Sequence, residues 1–312
     1  MQTPTSPTDR RLERVALACL AAHAGMTLFS AYAFSTFLSG PPPAWLQTPM
    51  NQEILRFGWR FGGPTCVVLG ALAGLLHATG RLGPRAALGL FGAAFGISLG
   101  AELLGTATGY PFGPYGYTDQ LGYRILGLVP FNIPTSWFYM LYCSLAIVGR
   151  IARAADDGAT RWRWAIAGGA VLTAWDVSMD PAMVRTTHWL WRLPDAGAQS
   201  PLQRIFVSDT FYGMPLSNWL GWLLTGIVIA RVLLALVPPT TWARAVSPSR
   251  FPIAPYAVNG VLPIAICIRH GMTWAATLGF VAMAVPVALA LRSRARAAAP
   301  APGDARVAVA GG

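Results

Sequence analysis

The sequence predicts an all-α, polytopic integral membrane bundle of about eight transmembrane helices. Three observations predict it: too little charge for a water-facing surface, a series of charge-free apolar runs of spanning length, and an uneven placement of arginine between their two sides. Hydrophobic residues make up 54% of the 312 and charged residues 11%, with a mean hydropathy of +0.48. Soluble domains carry about a quarter charged residues. The net charge of +11 is arginine's alone, since the chain contains no lysine. These arginines lie scattered between apolar segments, the pattern of orientation signals, which argues against a nucleic-acid partner.

A spanning helix needs about 20 mostly apolar residues. No Asp, Glu, Lys or Arg occurs in residues 15–38, 61–78, 125–149, 211–230, 251–268 or 271–291. Two further runs are interrupted by acids: residue 86 to about 105, with Glu102, and residue 164 to about 183, with Asp176 and Asp180. Arg10, Arg11, Arg14, Arg81, Arg85, Arg150, Arg153, Arg161, Arg163, Arg244, Arg250, Arg292, Arg294 and Arg296 fall on one side. The other side carries the thinner set Arg124, Arg185, Arg192, Arg204 and Arg269, with Arg56 and Arg60 at the mouth of the second helix. The asymmetry predicts both termini inside, and the expected location is a bacterial cytoplasmic membrane. The first run is too long for a signal core and lacks a small-residue cleavage site. Residues 1–295 read as one transmembrane domain and residues 296–312, rich in Ala, Pro and Gly, as a disordered tail.

Cys19, Cys66, Cys143 and Cys267 lie inside the expected spans without metal-ligand spacing and read as apolar fillers. His23, His77, His188 and His270 show no ligand spacing either. No metal site is expected. Two outer connections, roughly residues 106–131 and 181–210, are long for a compact domain and dense in aromatics and glycine, which suggests a cap.

The costly residues lie at that same face. At 1.5 Å per residue, Glu102 sits ~24 Å, Asp176 ~18 Å and Asp180 ~24 Å along their outward-running helices. The hydrocarbon is ~30 Å thick, and an acid in its outer part faces a cavity or a partner. Asp176 and Asp180 are four apart and share a helix face, which suits one protonated and one ionised carboxyl. Spacing alone equally fits a structural ion-pair cluster with Arg185 or Arg124 as counter-ion. Tyr110, Tyr115 and Tyr117 follow Glu102, and Trp175, Trp189, Trp191, Trp219 and Trp222 surround the second acid pair. They fit an interfacial belt and also a pocket whose ring faces stabilise a cation. The openings Phe131-Asn132-Ile133-Pro134-Thr135-Ser136-Trp137 and Tyr212-Gly213-Met214-Pro215-Leu216-Ser217-Asn218-Trp219 echo one another, either as a duplicated helix pair or as one capping solution used twice.

Four ordered motifs carry a resemblance: Glu102-Leu-Leu-Gly105-Thr-Ala-Thr-Gly109-Tyr110-Pro-Phe-Gly113-Pro-Tyr115-Gly-Tyr117, Pro130-Phe-Asn-Ile-Pro134-Thr-Ser136-Trp137, Trp175-Asp176-Val-Ser-Met-Asp180-Pro181, and Tyr212-Gly213-Met-Pro215-Leu-Ser-Asn218-Trp219-Leu-Gly221-Trp222. Together they resemble the CruF-type carotenoid 1,2-hydratase family. The resemblance implies a hydro-lyase that adds water across the terminal C1=C2 bond of an acyclic carotenoid, of lycopene or gamma-carotene type, without a cofactor. Its partners would be a carotenoid drawn from the bilayer, membrane lipid and other carotenoid-pathway enzymes. Asp176 or Asp180 would be the acid and Glu102 the base or second acid, with Asn218 and Tyr212 orienting water. Tyr110, Tyr115, Tyr117, Trp137, Trp175 and Trp219 would complete the substrate site. Competing readings are a UbiA-like magnesium-dependent prenyltransferase, from the DxxxD spacing of Asp176 and Asp180, and a small membrane transporter with the acids as a proton relay.

Overall fold

The computed structural model describes residues 7–193 and 210–293. Eight long helices alternate through these residues: α1 (Pro7–Thr36), α2 (Pro49–Leu82), α3 (Pro84–Thr108), α4 (Asn132–Ile151), α5 (Gly158–Arg185), α6 (Ser217–Leu236), α7 (Ile253–Arg269) and α8 (Thr273–Arg292). Arg204 and the expected tail from residue 296 lie outside the described residues.

The helix ends follow from local chemistry. Thr48 caps α2 by accepting from the Asn51 amide, with Pro49 in the first turn, where a missing N–H costs nothing. Gly83, at φ 84°, separates α2 from α3, and Gly109, left-handed at φ 84°, closes α3. Asp157 caps α5, accepting from the Thr160 amide at 2.7 Å. The short turn expected at Arg269, His270 and Gly271 separates α7 from α8, with Gly271 at φ 69°. Several boundaries differ from expectation: α2 starts at Pro49 and takes in Arg56 and Arg60, α4 starts at Asn132 rather than at residue 125, and α6 covers Ser217–Leu236 rather than residues 211–230. The outer connection expected from residue 181 begins only after Arg185, because α5 runs through Pro181. Pro181 lies near the C-terminal end of α5 and costs that helix the hydrogen bond to the Val177 carbonyl.

Five helices (α1, α2, α3, α6 and α8) are long and apolar enough to cross a membrane by themselves. Of the rest, α7 is shorter, at 17 residues, and α4 and α5 carry polar residues that the fold shields. Helix α4 is buried almost all round and forms the axis of the bundle, packed by α2, α3, α5, α7 and α8. At one end Arg150 is 6% exposed and donates to the carbonyls of Ser247, Ala290 and Pro248, satisfying backbone that no helix serves. Helices α5 and α6 approach closely through small residues: a Cβ on Gly169 would lie 3.0 Å from the Ile227 amide nitrogen, and one on Gly226 3.1 Å from the Gly169 Cα.

At the opposite end the connections form short antiparallel ribbons. β1 (Tyr115–Tyr117) pairs with β4 (Trp189–Trp191), β2 (Arg124–Ile125) with β3 (Val129–Pro130), and β5 (Thr210–Phe211) with β6 (Met214–Pro215). The last two are hairpins leading into α4 and α6, so the echoed openings have echoed structure. Tyr212 and Gly213, at φ 52° and 88°, form the two-residue turn between β5 and β6 that the strand twist favours.

Candidate active site

The three acids are buried beneath the β1–β4 ribbon: Asp176 is 0%, Asp180 2% and Glu102 3% exposed. Side chains alternate across a strand, so Tyr115 and Tyr117 share one face of β1, and Trp189 and Trp191 share one face of β4. The register sets Tyr115 opposite Trp191 and Tyr117 opposite Trp189. Both pairs turn toward the acids. The two tyrosine hydroxyls donate to Glu102 Oε2, Tyr117 at 2.8 Å, and Trp137 Nε1 of α4 donates to Oε1 at 3.2 Å. The two indoles of β4 donate to Asp180, Trp189 to Oδ1 and Trp191 to Oδ2 at 3.2 Å. Asp176 lies behind, with Oδ2 accepting from Asn218 Nδ2 at 2.8 Å and Oδ1 unpartnered.

Among the described residues, all the donors to these carboxyls are neutral. The expectation of Arg185 or Arg124 as counter-ion is not met: Arg185 donates to His270 at 3.1 Å, and Arg124 pairs with Asp119 at 2.5 Å. Both arginines sit where water competes for them, whereas the acids are roofed by aromatics. Burial and the nearby Glu102 carboxyl push the Tyr115 and Tyr117 phenols well above the ordinary tyrosine range, so both remain donors.

Glu102 and Asp180 form the polar end of a cavity of about 770 Å³. Its ring faces come from Phe112, Trp175 and Trp222, and Trp222 stacks on Trp137 at 4.3 Å between centroids. Trp137 thus holds Glu102 by its N–H and supports a cavity-facing indole by its ring. The far wall belongs to α1, α2 and α7. Phe29, Ile54 and Phe57 line the cavity and are 64%, 63% and 66% exposed, so it opens along the α1–α2 flank.

The structure gathers most of the expected site residues. Glu102, Asp180, Tyr115, Tyr117, Trp175 and Asn218 line the cavity, while Asp176 and Trp137 sit one contact behind it. Three stand apart. Tyr110 is 73% exposed, Tyr212 turns its hydroxyl to the Trp274 amide, and Trp219 packs on Phe211 at 5.1 Å. Sequence reasoning gave Asn132 and Ser136 no role in the site, and placed Trp189, Trp191 and Trp222 only in an aromatic group that fits a belt as well as a pocket. The alternation Trp189-Leu190-Trp191, matching Tyr115-Gly116-Tyr117, is the signal that could have joined the two strands.

His188 also borders the cavity, with Nδ1 on Thr186 Oγ1 at 2.8 Å. Burial lowers its imidazole from 6.5 to about 4, so the ring is neutral at pH 7. The unfolded chain takes up this proton near pH 6.5 and the folded one only near 4. The stability tied to the neutral ring is therefore complete above pH 6.5 and is lost as pH falls through that window. An acid-induced loss of about 2 kcal/mol is expected. Melting of the detergent-solubilised protein at about pH 7.5 and about pH 5 measures it, and His188→Gln should shrink the difference. Equal drops in both proteins would contradict this account.

The comparisons with known proteins bear on the same residues. A family model described as "Carotenoid biosynthesis protein" matches residues 62–286. A bisanhydrobacterioruberin hydratase from Haloarcula japonica is 31% identical over 132 residues, 42% of this chain and 39% of that protein. The chain thus aligns with about two fifths of that relative's length. No solved structure matches the chain. The family match takes in all three acids, both strands of the ribbon and most of the bundle, and by it the chain belongs to the carotenoid biosynthesis protein family.

Proposed function

We propose that this chain is a carotenoid hydratase that adds water across the terminal C1=C2 bond of an acyclic carotenoid and leaves a tertiary alcohol at C1. The observation that carries the reading is a pair of buried carboxyls, Glu102 and Asp180, at one end of an apolar, aromatic-walled cavity, bound among the described residues only by neutral donors. The similarity to a hydratase supports the reaction class.

The chemistry asks for this combination. Protonating a trisubstituted alkene at C2 needs a carboxylic acid held away from water, and two carboxyls in one dry cavity favour sharing a proton over both ionising. Asp180 is the acid, because it lines the cavity and its Oδ2, held only by the long 3.2 Å contact from Trp191, keeps a lone pair that can carry a proton inward. Glu102 accepts from three donors, the arrangement an ionised carboxylate satisfies, and acts as the base. Asp176, sealed behind Asn218, tunes the pair. The ring faces of Trp175, Trp222 and Phe112 stabilise the C1 cation without a nucleophile to trap it. Water and a recycled proton complete the balance, so no cofactor is required. In this reading the substrate comes from the bilayer through the α1–α2 flank, in a bacterial cytoplasmic membrane with both termini inside.

Expression in bacteria that accumulate lycopene tests the proposal. The expected product is a more polar pigment, heavier by one water, with an unchanged chromophore spectrum. Correctly inserted protein that leaves both lycopene and gamma-carotene unaltered would refute it.

A further inference from the structure

Among the described residues, two cavity-lining amide oxygens lack a hydrogen-bond partner, those of Gln120 and Asn132; Gln120 stands on the outer connection with its Nε2 on Thr187 Oγ1, whereas Asn132 stands on α4, the helix that carries Trp137. Asn132 opens α4, is 2% exposed and lines the cavity, and its side-chain carbonyl has no hydrogen-bond partner among the described residues. Its counterpart at the opening of α6 is occupied: Asn218 Nδ2 donates to Asp176 and to Met214 Sδ. A second polar cluster in the cavity, around Asn259, is equally closed. Tyr139 donates to its carbonyl, its amide serves His23 and Pro255, and His23 Nδ1 bonds the Cys66 carbonyl. That cluster ties helices together and has no group left over.

A buried amide oxygen left without a donor is costly, and a polar cavity wall with such an orphan is where an ordered water sits. Ser136 stands one turn further along the same face of α4, also lining the cavity. Its hydroxyl proton is spent on the Ile133 carbonyl at 2.8 Å, so its oxygen remains an acceptor. The next residue, Trp137, is the one that donates to Glu102. One turn of α4 thus presents two acceptors beside the residue that holds the base.

We propose that Asn132, assisted by Ser136, holds the water that captures the C1 cation, and is a positioning residue of the site. The inference rests on the hydratase reading. In the step, the alkene π electrons take the proton from Asp180 to form the C2–H bond, leaving the charge at C1. The water oxygen then forms the C1–O bond, and its surplus proton passes to Glu102. Return of that proton from Glu102 to Asp180 resets the site, and the net change is addition of one water.

The test separates protonation from capture. Membranes carrying the full chain, Asn132→Leu or Asn132→Ser are incubated with lycopene in deuterated water. Alcohol formation is measured together with deuterium at C2 of the recovered lycopene. If the cation forms but lacks its water, it loses a proton and returns as labelled substrate. Asn132→Leu is expected to lower alcohol at least about tenfold while labelling stays within about twofold, and Asn132→Ser to restore part of the alcohol. Uncoupling in either variant supports the proposal. Alcohol and label falling together in both, or alcohol unchanged in Asn132→Leu, overturns it. A wild-type chain that yields neither alcohol nor labelled lycopene removes the hydratase reading itself, an outcome distinct from either.

Discussion

Asp180→Asn and Glu102→Gln should each lower hydration by about 10³-fold in correctly inserted protein, while Asp176→Asn should cost about tenfold. The ranking comes from position. Asp180 and Glu102 reach the cavity and exchange protons with substrate and water in the proposed cycle, so an amide at either place removes a proton carrier outright. Asparagine keeps the shape of Asp180 and can still accept from Trp189. The loss would therefore be chemical, with little effect on folding. Asp176 is shut off by Asn218 and meets no reacting atom. Its amide replacement can still accept the Asn218 bond. Turnover measured per inserted molecule decides the matter: equal losses at all three positions, or a milder loss at Asp180 than at Asp176, would reverse the assignment.

The second large effect concerns folding. Gly169→Leu is expected to prevent α5 from seating on α6, with loss of most folded protein. A Cβ at this position would already lie 3.0 Å from the Ile227 amide nitrogen and 3.2 Å from the Leu223 carbonyl oxygen, both backbone atoms that cannot swing aside. Overpacking of this kind costs about 1–3 kcal/mol even where side chains can adjust. Since α5 carries two of the acids, the site is lost with the interface. Gly96→Leu on α3 is the control, because its Cβ would meet nothing within 4 Å. Yield and melting temperature in detergent should fall for the first substitution and hold for the second. Comparable stability of the two would show that α5 and α6 can part without penalty.

How much was legible depends on whether a signal was local. Charge-free runs located the helices because hydrocarbon excludes charge segment by segment. The acids stood out for the same reason, as the exceptions within such runs. The ribbon is different in kind. Tyr115 and Trp191 are far apart in sequence, and only their pairing gives each carboxyl its donors. Equal-looking aromatics also divided. Tyr115 lies within a strand and turns inward, whereas Tyr212 occupies the turn of a hairpin, where its backbone at φ 52° aims the ring elsewhere. The apolar wall from α1, α2 and α7 had no marker, since a residue facing a cavity and one facing lipid are both simply hydrophobic.

The opening along the α1–α2 flank changes what substrate concentration means for this protein. In the proposed reading, a slot walled by Phe29, Ile54 and Phe57, exposed on the helix surface, addresses the hydrocarbon phase, so the quantity that would set occupancy is the carotenoid-to-lipid ratio rather than molarity in the surrounding buffer. On that proposal only one end of a long polyene would have to thread to the acids while the remainder stayed dissolved in acyl chains. Transfer from lipid into the slot exchanges one apolar environment for another and yields little free energy. Discrimination therefore falls to the few groups at the polar end, and a molecule with two competent termini would be processed in two separate visits.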